Sequence, residues 1–282
     1  MNRLDVRKTY KLYINGEFPR SESGRTYPVL DAGGEVLARV ALASRKDLRE
    51  AVRAARTAQA KWAERSGYNR GQILYRIAEM MEDRKATFEE QLVDGGATAA
   101  RARTEVGNAV DRMVWYAGWA DKFTQVYGNL NPVAGPFFNI SAPEPTGVVG
   151  VFAPPTPALL GLVSRLAPVI VSGNAAVVLA SEPQPMSAIT FAEVLESSDV
   201  PPGVVNILTG SQSELAPWLA DHMDVNAIDL AGAADHLRLR IEQGAVHNVK
   251  RLVGTEEEFD GQSPYLIAAF TETKTVWHPK GL

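Results

Sequence analysis

Cysteine is absent from this sequence of 282 residues. That excludes a disulfide, a zinc–thiolate site and a catalytic thiol, and it fits a cytoplasmic setting. Long apolar runs are missing too. The longest, residues 158–171, is interrupted by Ser164, Arg165 and Pro168 and is too short to span a bilayer, so no membrane insertion is expected. Residues 1–16 hold basic side chains without an apolar core or a small-residue cleavage site, so no signal peptide is expected. There is no basic excess: 29 Lys and Arg stand against 33 Asp and Glu, for a net charge of -4, which argues against a nucleic-acid partner. The HExxH, P-loop and GxSxG patterns do not occur. His222, His236, His247 and His278 belong to no recognised motif.

What remains is ordinary globular material, 45% hydrophobic and 22% charged, with length for one large domain or two modest ones. Residues 11–16 (KLYING) alternate and close on Asn-Gly, a hairpin signal. Residues 25–29 read as a second extended stretch. Ser44 and Asp47 have capping-box spacing, ahead of Leu48, Ala51, Val52, Ala55, Ala58 and Trp62 at helical intervals. Further helices are predicted over 70–84 and 100–123. Trp115 and Trp119, four apart, share a face of the latter, which marks either an interface or ordinary packing within the chain.

From residue 136 the pattern changes. Residues 137–140 and 147–152 read as strands, followed by helices over 157–171, 185–197, 213–222 and 234–244. Strands over 175–179, 204–208, 227–230 and 250–253 alternate with them, and residues 266–277 read as one more extended element. Short apolar strands each followed by a helix predict an α/β, doubly wound, mostly parallel Rossmann-like sheet covered on both faces. Boundaries are expected near 1–135 for an N-terminal hairpin and helices, 136–152 for a hairpin, 153–255 for the Rossmann-like unit and 256–282 for a terminal strand.

Several ordered strings resemble the aldehyde dehydrogenase family. Thr146–Phe152 (TGVVGVF) with Ala153-Pro154 and Pro157-x-Leu159-Leu160 is similar to GVVGxIxPWNFPLL. Leu166-Ala167-Pro168, Ser172-Gly173-Asn174-Ala175 and Val177–Glu182 are similar to LAPALAAGNAVVLKPSE. Pro201–Gly210 resembles PxGVxNVVTG, His222–Gly232 resembles HPDVDAIAFTG, and Trp115–Lys122 resembles YYAGWADK. Phe270–Val276 is similar to the family's terminal oligomerisation strand, YTEVKTVTV. The whole most resembles the cysteine-less second unit of aldehyde dehydrogenase 16 type proteins.

The resemblance implies an NAD(P) site and aldehyde oxidation, but the departures fall on that chemistry. Thr156 stands where the family has the oxyanion-holding Asn. Leu179 or Ala180 replaces the lysine that reaches the adenosine ribose, Ala233 replaces the serine opening the pyrophosphate-facing helix, and Ala216 replaces a glycine. Ser181 and Glu182 remain as candidates for a ribose, or as helix-capping residues. Gly210 and Gly232 remain as candidate cofactor contacts, or as turn residues, along with Gly173 and Gly203. No cofactor is assigned, and NAD is kept as the alternative.

Between Val253 and Phe270 the family would carry its catalytic domain, so the chain is expected to lack that domain internally. Glu258-x-x-Gly261-x-Ser263-Pro264 can be laid on the general-base motif ELGGKSP with an inserted three residues; without them Thr255 takes that place. Lacking a thiol to serve, Glu258 reads better as a turn carboxylate. No other catalytic residue is assigned. The expected function is a non-catalytic subunit that assembles with a full-length aldehyde dehydrogenase through residues 137–152 and 270–277. A chain without the reciprocal domain cannot complete a symmetric dimer with its own copy. The alternatives are a free NAD-binding or sensing module and, less favoured, an active aldehyde oxidoreductase.

Overall fold

A computed structural model describes residues 8–31, 33–254 and 262–281. The chain begins with strand β1 (Thr9–Tyr10), then β2 (Thr26–Leu30) and β3 (Val36–Ala41), which form a small sheet of order β1-β3-β2. Helices α1 (Arg45–Ala63), α2 (Gly67–Asp83), α3 (Lys85–Asp94), α4 (Ala99–Ala117) and α5 (Phe123–Tyr127) follow. Next come β4 (Asn129–Asn131), β5 (Phe137–Pro145), β6 (Val148–Phe152), α6 (Ala158–Val171), β7 (Ala175–Leu179) and α7 (Met186–Glu196). The series continues with β8 (Val205–Leu208), α8 (Gln212–Asp221), β9 (Ala227–Asp229), α9 (Asp235–Ala245) and β10 (Arg251–Val253). Last are α10 (Pro264–Ala269) and β11 (Thr271–Pro279).

The centre is a five-stranded parallel sheet of order β10-β9-β6-β7-β8. Successive strand residues point to opposite faces. Val149, Val151, Ala176 and Val178 therefore meet the layer of α2, α4, α6 and α7. Val148, Val177, Leu179, Leu208 and Ile228 meet α1, α8 and α9 on the other side. With both faces covered, the strands carry apolar residues without alternation, and every residue of α6 is buried. The sheet is doubly wound, as the sequence predicts.

The capping box at α1 forms as expected. The Ser44 Oγ accepts from the Asp47 backbone N–H at 3.4 Å, and the Asp47 carboxylate accepts from the Ser44 N–H at 2.8 Å. Asn15-Gly16 does make a tight turn, both residues having positive φ, and Ile14 bridges Glu17. Its arms pair as the expected short hairpin, Ile14 and Glu17 exchanging backbone bonds at 3.0 Å and the Leu12 N–H donating to the Pro19 carbonyl at 3.1 Å, while Tyr13 also bridges Ile207 at the edge of the central sheet. Other expectations need correction. Residues 136–152 are not a hairpin: β6 is the central strand of the parallel sheet, while β5 pairs with β4 and β11. The helix predicted over 100–123 stops at Ala117, so Trp119 lies in the turn beyond it. Its ring still stacks on Trp115 at 5.5 Å, and both are partly buried against the core. Residues 264–269 are helical, started by the Ser263 hydroxyl and Pro264 at the first turn, so only the later part of 266–277 is extended.

The third sheet has order β11-β5-β4 and is antiparallel. β11 and β5 pair along nine residues, from Thr271↔Pro145 to Pro279↔Phe137. The junction into β11 is fixed to the core. Phe270 is fully buried, and its carbonyl accepts from the Asn174 side chain at 2.8 Å. The Arg251 guanidinium donates to the Ala269 carbonyl at 3.1 Å and pairs with Glu272 at 2.9 Å.

Candidate functional site

In an open parallel sheet, ligands bind beyond the carboxyl ends of the strands, where the winding reverses. Here the chain runs outward from β6 through β7 to β8, then returns to the other side of β6 as β9 and β10, so the reversal lies between β6 and β9. Two clefts sit at that end. The first, about 340 Å³, is lined by Pro155, Ser181, Glu182, Gln212, Gly232 and Asp235, among others. The second, about 400 Å³, is lined by Thr156, Pro157, Leu160, Arg101, Glu105 and Asn108 with neighbours.

Of the residues singled out in the sequence, Ser181, Glu182 and Gly232 come together in the first cleft, while Thr156 faces the second. Gly210 lines neither. It sits at positive φ where a Cβ would stand 3.1 Å from the Ala43 nitrogen, so the turn itself requires glycine. Gly232 is also constrained by backbone, since a Cβ there would lie 2.4 Å from the Phe152 carbonyl oxygen. Glu258 and Thr255 lie outside the described residues.

The side chains of the first cleft are already engaged. The buried Ser181 hydroxyl accepts from the Gln184 N–H at 3.2 Å, closing the local turn; the cap position of α7 itself is Pro185. The Glu182 carboxylate accepts at 3.2 Å from the N–H of Gln212, the first residue of α8. Gln212 in turn reaches the start of α9. Its Oε1 accepts from the Ala234 N–H at 3.2 Å and its Nε2 donates to the Gly232 carbonyl at 3.1 Å. In the second cleft the Glu105 carboxylate accepts from the Leu159 and Leu160 N–H groups at 2.8 and 3.3 Å, capping α6. None of these three helices has a side-chain cap from its own N-cap residue.

Beneath the first cleft lies a buried ion pair. Arg165 Nε donates to Asp229 Oδ2 at 2.7 Å and Arg165 Nη2 to Oδ1 at 2.9 Å. Asp229 also accepts from the Ala231 N–H at 2.9 Å, so the pair shapes the turn that leads to Gly232. Burial pushes the Asp229 carboxyl above its ordinary range, and the Arg165 guanidinium opposes that shift. Near Arg165, burial raises the Tyr116 hydroxyl to about 12. Sequence reasoning missed Gln212, Glu105 and this pair. A signal existed for the pair: an arginine inside the run 158–171 and an aspartate inside an apolar strand each require a buried partner.

The matches to known proteins agree with this architecture. Residues 18–277 match the model of the aldehyde dehydrogenase family, a span that includes most of β11. The chain belongs to the aldehyde dehydrogenase family. It is 34% identical over 280 residues to the cytosolic 10-formyltetrahydrofolate dehydrogenase of Pongo abelii, covering 95% of this chain and 30% of that protein. It is 33% identical over 272 residues to retinal dehydrogenase 2 of Gallus gallus, covering 94% and 51%. Among solved structures, HpcC from Thermus thermophilus superposes with a TM-score of 0.83 at 29% identity, over 88% of this chain and 48% of that one. The NAD+ complex of an aldehyde dehydrogenase from Bacillus cereus gives 0.82 at 25% identity, over 88% and 50%. The chain thus spans about half the length of these relatives, or less. Within this aldehyde dehydrogenase family member, α10 and β11 follow β10 after only a short connection, so no catalytic domain is inserted there.

The family implies an NAD(P) site in the first cleft, and the residues present do not fit the pyrophosphate of that group. A pyrophosphate needs free N–H donors or cations. Here the helix-end donors at Gln212 and Ala234 serve Glu182 and Gln212. Among the described residues lining the cleft are two carboxylates, Glu182 and Asp235, and neither lysine nor arginine.

Proposed function

We propose that this chain is a non-catalytic subunit of an aldehyde dehydrogenase assembly, docking on a full-length NAD(P)-dependent partner through the sheet β11-β5-β4. The observation that carries the reading is an apolar stripe across that sheet. Leu130, Ile140 and Val276 lie directly opposite one another on three adjacent strands, and their exposures are 67%, 48% and 49%. Phe138, two residues from Ile140, extends the same face and is also exposed. The opposite face carries a polar network, Asn131 donating to Asn139 at 2.7 Å and to Ser141 at 2.8 Å, beside the exposed ring pair of Phe137 and Trp277.

A contiguous row of large apolar side chains facing solvent is characteristic of interaction sites. The outer edge of β11 is unpaired among the described residues, which offers backbone donors and acceptors to a neighbouring strand. Because β6 is buried throughout, the docking surface is confined to β4, β5 and β11 and does not extend to Phe152. The partner is a full-length relative because a surface that evolved to meet a catalytic domain finds no such domain between β10 and β11 of a second copy.

Capture of the tagged chain from its native host tests this reading. A full-length aldehyde dehydrogenase recovered in stoichiometric amount is the expected result. Recovery of the chain alone, as a monomer, overturns it.

A further inference from the structure

We infer that the dinucleotide cleft of this chain is closed from within, with Glu182 and Gln212 acting as built-in occupants of the helix ends where a ligand's anionic group would sit, and Glu105 doing the same at α6 in the adjoining second cleft. This inference concerns the isolated chain and stands whether or not a partner subunit exists.

Three helices, α6, α8 and α9, begin at the carboxyl edge of the central sheet. Each start would ordinarily present unbonded N–H groups and the positive end of a helix dipole. In this chain each receives an acceptor from a different element. Glu105 comes from α4 to α6, Glu182 from the β7–α7 loop to α8, and Gln212 from the start of α8 to α9. The last two form a relay: the residue whose N–H is held by Glu182 uses its own side chain to hold Ala234. Two of the three acceptors are carboxylates, which satisfy the dipole as a phosphate would and repel one that approaches. Asp235, in the first turn of α9, also lines the cleft, exposed and paired with Arg238 at 3.3 Å.

The amide of Gln212 also joins both walls of the cleft, accepting from Ala234 and donating to Gly232. A phosphate taking the Ala234 N–H would have to displace this amide and leave the Gly232 carbonyl without its donor. The cleft volume, about 340 Å³, is at the lower end of the roughly 300–1,000 Å³ typical for drug-sized ligands, and a dinucleotide is larger than those. The Gln212 N–H of α8 and the Ala234 N–H ahead of α9 are thus both capped from within the cleft.

Calorimetric titration of the purified full chain with NAD+, NADH and inorganic pyrophosphate tests the inference, beside the variants Gln212→Ala with Glu182→Ala, and Gln212→Glu. Thermal melts of each variant establish that it is folded. The wild-type chain is expected to give no saturable binding at millimolar ligand. The double variant, which frees both N–H groups and removes one charge, is expected to gain at least about tenfold in pyrophosphate affinity. Gln212→Glu keeps the cap and adds charge, so it should bind no better than wild type. Saturable NAD+ binding by the wild-type chain overturns the inference, as does a folded double variant with no gain.

Discussion

The side chains that decide whether this molecule can bind a cofactor are few, and most belong to polar groups sunk in an apolar sheet edge. Asp229 and Arg165 show the energetics. Both are almost fully buried, and each is tolerated only because the other neutralises it in a bidentate pair. Replacing Asp229 with alanine should therefore leave an uncompensated guanidinium and cost about 3–5 kcal/mol in chemical denaturation. Removing both charges together, as Asp229→Leu with Arg165→Leu, should recover most of that loss. A full loss in the double variant, measured the same way, would mean that the pair matters for more than mutual neutralisation. Ser181, by contrast, closes a local turn through the Gln184 N–H, so its conspicuous place in a family-like string reflects backbone geometry.

Among the elements, those with strong periodicity and a local start signal were legible in the sequence. α1 announced itself through Ser44, Asp47 and its apolar face, and the buried strands β6 to β9 through short runs of valine, alanine and isoleucine. α3 was not visible because it buries only Phe88 and Leu92, too few anchors to establish a period. β3 was hidden behind the turn at Gly33-Gly34, and α10 was masked by reading Leu266 onward as one strand, although Ser263-Pro264 is a helix start. The candidate site was half legible: the strings located the cleft, but Gln212 and Glu105 cap helices distant in sequence, a pairing that no local pattern encodes. The contact between α8 and α9 has its own pH signature. Arg240 donates to Asp221 at 2.9 Å and holds its carboxyl below the ordinary range. A depressed carboxyl contributes stability above its unfolded pKa and loses it as pH falls through the folded one. Both groups are partly exposed, so the effect is small. Asp221→Asn should be slightly less stable than wild type near neutrality and equal to it at strongly acid pH, as read from denaturant melts across pH. An equal gap at all pH values would assign the effect to packing.

The whole molecule combines an intact cofactor-type fold, a cleft whose helix ends are capped from within, and a terminal strand fixed to the core by Phe270, Asn174 and Arg251. Restoring a thiol cannot rebuild the domain that would hold it. Single-cysteine variants at any position are thus expected to show no NAD-dependent aldehyde oxidation in the isolated chain, and turnover in one of them would refute that. The sheet β11-β5-β4 is the surface proposed to dock on a full-length partner. The most direct test is the mass of the chain's complex with the full-length aldehyde dehydrogenase of its host, measured for wild type and for Ile140→Lys with Val276→Lys. Wild type is expected to form a defined hetero-oligomer, and the folded double variant to lose association by at least about a hundredfold. A wild-type chain that stays apart from the dehydrogenase, or a double variant that assembles as wild type does, would contradict the proposed docking.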